Sequence, residues 1–162
     1  MTGEACKNSK VEVIESYPHP EAIALAEKTP NVRYEKALSG KYDFLIATDL
    51  FEHVPDPLGL VFEAAKHLRK DGKFLIANCF EPVILCHLPQ TFHFRHSWSF
   101  VMESLGFSPA EKVAYGQVFS KSNKINIKNA RALEEQSKKL FNLTGRLPGR
   151  FARLLTKYIL SF

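Results

Sequence analysis

At 162 residues, with 45% hydrophobic and 24% charged residues, the chain has the composition of one ordinary globular domain rather than a disordered segment. No apolar run approaches the roughly eighteen residues of a membrane span, and the polar start MTGEACKNSK does not read as a secretory signal. The net charge of +5 is unevenly placed: 12 Lys and Arg face 15 Asp and Glu up to Ser120, whereas 10 face 2 from Lys121 onward. This asymmetry predicts a mildly acidic domain over residues 1–120 and a basic, partly helical extension over 121–162. Cys6, Cys79 and Cys86 are odd in number, widely spaced and without a C-x-x-C, which suits a reducing, cytoplasmic setting better than disulfides.

In chain order, KVEVIE (10–15) alternates apolar and polar residues and predicts a short strand. YPHP then breaks the backbone, because each proline fixes φ and biases its predecessor away from helix. EAIALAEK predicts a helix, NVRYEK a second short strand, and SGK a turn into YDFLIATDL. The apolar core Phe44–Ala47 of that segment predicts a strand buried on both faces. Pro57 suits the first turn of a helix with Asp56 as its N-cap. Leu58, Val61, Phe62, Ala65 and Leu68 form its apolar stripe. Gly72, after the basic turn KHLRK, reads as its C-cap, and KFLIANCF as a further buried strand. The alternation from Tyr42 to Phe80 predicts a β-α-β unit in a parallel sheet. Beyond Glu81 the pattern loosens into a long loop with a short helical piece. SWSFVMESLGF then reads as a helix ending at Gly106, and EKVAYGQVFSK as a late strand with a hairpin partner before it.

Within this frame, YDFLIATDLFEHVPDP … HLRKDGKFLIANCF resembles the central β-α-β unit of class I S-adenosylmethionine-dependent methyltransferases of the small-molecule branch. In that group an Asp/Glu-His-Val pattern ends the fourth strand and a Gly turn precedes the fifth. ESLGF before a strand resembles the family's late helix, and together the likeness covers about Val11 to Lys121. It implies a Rossmann-like α/β fold, with a mostly parallel twisted sheet flanked by helices, and S-adenosylmethionine as cofactor.

Ligands of open α/β sheets bind beyond the carboxyl ends of the strands, so Thr48, Asp49 and Leu50 are expected to border the cofactor. Glu52 and His53 are expected nearer the acceptor, with His53 as a candidate base. Helix capping and loop bracing are the alternatives for Asp49, Glu52 and His53. The resemblance implies that Glu15, ending the first visible strand, accepts hydrogen bonds from the ribose hydroxyls, a role that suits two acceptor oxygens with no competing donor. An exposed strand-end acid is the plainer reading.

QTFHFRHSW adds His93 as a second candidate base and His96 as a substrate contact, with a histidine-rich packing loop as the alternative. Cys86, His87, His93 and His96 cluster in sequence. A lone His-x-x-His is nevertheless a poor zinc signature, and no metal is expected. The family's Gly-rich turn should precede Val11, where only Thr2 and Gly3 stand. Gly3 is the one candidate for its tail, and the family's first strand is expected to be missing. The chain is therefore expected to be the rear part of a longer protein or a degenerate family member.

FARLLTKYILSF places Phe151, Leu154, Leu155, Tyr158, Ile159 and Phe162 along one helical side, with Arg150, Arg153 and Lys157 around it. That pattern suits packing or oligomerisation, or contact with an anionic membrane surface. Aromatic residues such as Phe141 do not interleave with the basic ones as a nucleic-acid stacking platform requires. Two functions follow: methyl transfer to a small-molecule acceptor, or a non-catalytic module that binds through the basic tail. A nicotinamide dinucleotide domain ranks third, since it has no use for Glu52 and His53.

Overall fold

The computed structural model describes residues 7–122, 124–144 and 149–160. The chain separates into two compact units, one up to Gly40 and one from Lys41 onward.

In the first unit, β1 (Val11–Ile14) and β2 (Val32–Glu35) pair in parallel, with α1 (Pro20–Glu27) as the crossover between them. Pro20 opens α1, and His19 caps it by accepting from the Glu21 N–H at 3.4 Å. The prolines of YPHP thus end one element and begin the next.

The second unit holds a four-stranded sheet in the order β3 (Tyr42–Thr48), β4 (Leu68–Ala77), β6 (Gly116–Lys121), β5 (Phe107–Val113). β3 and β4 run parallel around α2 (Pro57–His67), as the strand–helix–strand pattern predicts. β6 is antiparallel to both β4 and β5, so this sheet is mixed rather than mostly parallel. The stretch read as one late strand, residues 111–121, contains a turn at Ala114 and Tyr115, so its first residues belong to β5 and the rest to β6, the two antiparallel arms of one hairpin. α3 (Trp98–Leu105) ends at Gly106, whose left-handed backbone (φ 114°) lets its N–H reach the carbonyls of Met102 and Glu103.

Two expectations need correction. Phe44 and Ile46 are 44% and 52% exposed, so β3 is not buried on both faces. β3 is an outer strand of its sheet among the described residues, and strand periodicity puts these two exposed side chains on the same face. Gly72 does not cap α2. The helix stops at His67, and Tyr42 pairs with Leu68 while Phe44 pairs with Lys73, so residues 69–72 bulge out opposite Asp43. A Cβ on Gly72 would sit 2.8 Å from the Leu68 side chain and 2.9 Å from the Arg69 carbonyl, so glycine serves a close approach inside the bulge. Lys121 takes over as the helix cap, donating to the carbonyls of Ala65 and Leu68 at 2.6 Å each.

The basic C-terminal region forms α4 (Ile127–Thr144) and α5 (Gly149–Leu160), both within the second unit. α4 packs on α3 and on the 3-10 segment Pro89–Arg95. α5 turns Ala152, Thr156 and Leu160 inward and leaves Phe151, Leu154, Leu155, Tyr158 and Ile159 exposed; Phe162 lies outside the described residues. No helix among the described residues is long and apolar enough to cross a membrane.

Candidate functional site

The carboxyl ends of β3 and β4 carry the densest chemistry of the second unit. Thr48 closes β3, and Asp49 follows in the left-handed conformation (φ 49°), a region that Asp tolerates better than most residues. The Asp49 N–H donates to the Ala77 carbonyl at 2.8 Å, and its carboxylate accepts the Tyr115 hydroxyl at 3.1 Å. That hydrogen bond to an anion pushes the Tyr115 pKa up. Tyr115 comes from the β5–β6 turn, and no sequence spacing links it to Asp49. Leu50 is exposed, and then the chain enters a single 3-10 turn, Phe51–His53.

Phe51 anchors that turn. It is 1% exposed and packs against Phe74 and Trp98, which fixes the residues on either side of it. Glu52 is carried completely into the interior, at 0% exposure. One of its carboxylate oxygens accepts from the Cys79 N–H at 2.8 Å, and its own carbonyl accepts from the Leu88 N–H at 2.9 Å. The turn is thereby tied both to the segment after β4 and to the loop beyond it.

His53 is half-buried, with Nδ1 3.1 Å from the Cys86 carbonyl. The buried His87 lies edge-on to it, with ring centroids 4.9 Å apart, and its Nδ1 is 2.6 Å from the Glu81 carbonyl. Glu52 and His53, adjacent in sequence, are thus joined by a residue more than thirty positions away. His87 stood among the loop histidines in sequence, but nothing there assigned it to this pair.

The other two candidate histidines occupy different surroundings. His93 is 7% exposed; its Nδ1 lies 3.1 Å from Ser137 Oγ on α4, and Nε2 lies 4.0 Å from Glu134. Ser97 and Ser137 both donate to the His93 carbonyl at 2.9 Å. Burial is the main cause that holds the His93 pKa down at about 4, so the ring is neutral at pH 7 and a weak proton acceptor there. His93 therefore fastens the 3-10 segment to α4. His96 also has a lowered pKa, first through burial and then through Arg95 and Arg153. Together with Phe80, Phe141 and Ala152, the two histidines line a cavity of about 200 Å³ under the start of α5.

Glu15 belongs to the first unit. It follows β1 directly and is exposed, and one carboxylate oxygen accepts from the Tyr17 N–H at 3.0 Å. Gly3 lies outside the described residues.

Comparison with protein families returns one model that spans most of the chain: a methyltransferase domain, matched over residues 2–140. The chain belongs to this methyltransferase family. The match supports the class I, S-adenosylmethionine-dependent assignment read from DLFEHVPDP and its neighbours, and methyl transfer is the general activity of such domains. A search of curated proteins finds no match.

Proposed function

We propose that the protein moves a methyl group from S-adenosylmethionine to a small-molecule acceptor. The observation that carries this reading is the run Thr48–His53. It leaves the carboxyl end of a parallel strand, where ligands of such sheets bind; its backbone is held there by Ala77 and Leu88, and the Glu52 carboxylate by the Cys79 N–H.

In this reading Thr48, Asp49 and Leu50 border the adenosyl group. The ribose role of Glu15 rests on the sequence resemblance; within its own unit one Glu15 oxygen accepts from the Tyr17 N–H at 3.0 Å, and a carboxylate offers a second acceptor. S-adenosylmethionine, when bound, would supply an activated methyl on a sulfonium, itself a good leaving group. What remains for the protein is alignment, which contributes several kcal/mol. Where the acceptor carries a proton, the Glu52, His53 and His87 cluster is the place at which its removal is assisted. His93 and His96 shape the neighbouring cavity wall.

Isothermal titration of the folded chain with S-adenosylmethionine tests this. Glu15→Ala should weaken binding by roughly tenfold to a hundredfold, the loss of charge-assisted hydrogen bonds. Folded protein that takes up no cofactor would leave the alternative of a non-catalytic binding module.

A second reading rests on α5. Its packed face is Ala152, Thr156 and Leu160, while five large apolar side chains form an exposed arc, flanked by Arg150, Arg153 and Lys157 with no acidic residue in the helix. Such an arc suits the interface of an anionic bilayer. The full chain should co-sediment with vesicles containing phosphatidylglycerol and bind neutral phosphatidylcholine roughly a hundredfold less well, since each of the three basic residues at the surface contributes about 1 kcal/mol. Leu154→Glu with Tyr158→Glu should abolish pelleting. Equal pelleting of wild type and variant would remove the membrane reading, and a concentration-dependent dimer lost in the variant would replace it with self-association.

A further inference from the structure

We propose that Glu52, His53 and His87 form a binding site for a divalent first-row transition-metal ion, with Zn²⁺ as the best match. The inference is independent of the methyl-transfer reading.

The first observation is the state of Glu52. Its side chain is fully buried, and its hydrogen-bond partners are neutral: the Cys79 N–H at 2.8 Å, and the Asn78 amide nitrogen, when turned toward it, at 3.3 Å. No Lys or Arg among the described residues forms an ion pair with it. Buried carboxylates are normally paired with a cation or hold a metal, because removing the charge from water is costly.

The second is the tautomer imposed on both histidines. The Nδ1 of His53 faces the Cys86 carbonyl and the Nδ1 of His87 faces the Glu81 carbonyl. A nitrogen that faces a carbonyl carries the proton, so each ring presents its Nε2 as a lone pair. Backbone carbonyls orient metal-binding imidazoles in the same manner.

The third is convergence. One carboxylate oxygen and one ring nitrogen from each histidine lie within 4.8 Å of one another. Zn²⁺ with bonds of about 2.0–2.1 Å needs its tetrahedral donors roughly 3.4 Å apart, so small side-chain rotations close the site. The Leu88 N–H to Glu52 carbonyl bond holds the loop that carries His87 against the 3-10 turn while they do so.

Two neutral imidazoles and one carboxylate suit zinc, cobalt or iron(II); Mg²⁺ and Ca²⁺ prefer oxygen donors alone. With three protein donors, at least one coordination position stays open to water.

Cobalt is the probe. The full chain, stripped with chelator, should take up one equivalent of Co²⁺ at neutral pH with visible d–d absorption, and one equivalent of Zn²⁺ should displace it. His87→Ala and Glu52→Gln should lose the band and weaken binding by at least about a hundredfold, more than loss of an outer-shell partner costs. His19→Asn, in the other unit, should change nothing. His53→Asn keeps a donor for the Cys86 carbonyl and decides the matter if the buried variants fail to fold. A wild-type chain without band or heat at millimolar Co²⁺ would overturn the proposal, as would binding that survives His53→Asn.

Discussion

Gly106→Ala should lower folding stability by about 3–5 kcal/mol, among the larger effects a single substitution can have. Gly106 has φ 114° and ψ 29°, and a left-handed backbone costs a residue with a Cβ roughly 1–2 kcal/mol. The larger part comes from what lies beside it. A Cβ at this position would collide with the Lys124 carbonyl oxygen and sit 3.1 Å from Ser122 Oγ, which itself donates to that carbonyl at 2.9 Å. Backbone cannot swing aside as a flexible side chain can. The segment that would have to move also holds the Asn126 N–H on the Leu105 carbonyl at 2.8 Å, just ahead of α4. The damage would therefore pass from the end of α3 to the helix packed on it. Thermal and urea unfolding should show a fall in Tm of roughly 10 °C. Gly149→Ala serves as the control, because among the described residues its Cβ would meet the end of Arg95 at an ordinary 3.6 Å. A loss in Gly106→Ala no greater than in Gly149→Ala would mean that the α3–α4 junction adapts freely.

Acid should cost the fold about 2–3 kcal/mol between pH 7 and pH 4.5, and His93 is the residue expected to account for it. Its folded pKa is about 4, against an ordinary 6.5, chiefly because burial disfavours the charged ring. Glu134 and Glu135 raise it and Lys138 lowers it, all from α4, but burial outweighs them. Across that interval the unfolded chain binds the proton and the folded chain does not, so stability rises with pH from about 4 to 6.5 and is lost in the reverse direction. Asp56, held down by its hydrogen bond to Arg131, gives a similar trend only below its ordinary 3.8, outside this window. His96 titrates in the same direction as His93 and supplies the remaining slope. His93→Gln keeps a donor for Ser137 and removes the titration. Urea unfolding at pH 7 and pH 4.5 should find most of the pH dependence gone from the variant. An identical loss in both proteins would show that the imidazole takes its proton without disturbing the fold.

Local chemistry explains why so much of the chain was legible from its residues. Asp56 and Pro57 start α2 because a side-chain acceptor and a missing N–H suit a helix's first turn whatever packs around it; Asp56 does accept from the Gly59 N–H, at 2.9 Å. Gly106 ends α3 because only glycine takes that backbone shape without strain. The β3–α2–β4 unit follows from the change of apolar period between its segments, and the family follows from the order of those segments around DLFEHVPDP. Gly72 was misread because the same glycine chemistry serves a bulge as well as a cap. The choice was made by Lys121, fifty residues on, which satisfies the carbonyls at the end of α2 instead.

The amino-acid order by itself determined the β3–α2–β4 succession, where α2 starts and where α3 stops, and that a carboxylate and an imidazole leave the end of β3 together. Only the tertiary structure decided that His87 joins them while His93 is buried against α4, that Tyr115 reaches Asp49, and that α5 turns Ala152, Thr156 and Leu160 inward and most of its large apolar side chains out. The reason is range: caps and periodicity act over a few residues, whereas burial, tautomer and pairing depend on groups that the chain brings together from thirty to seventy positions apart.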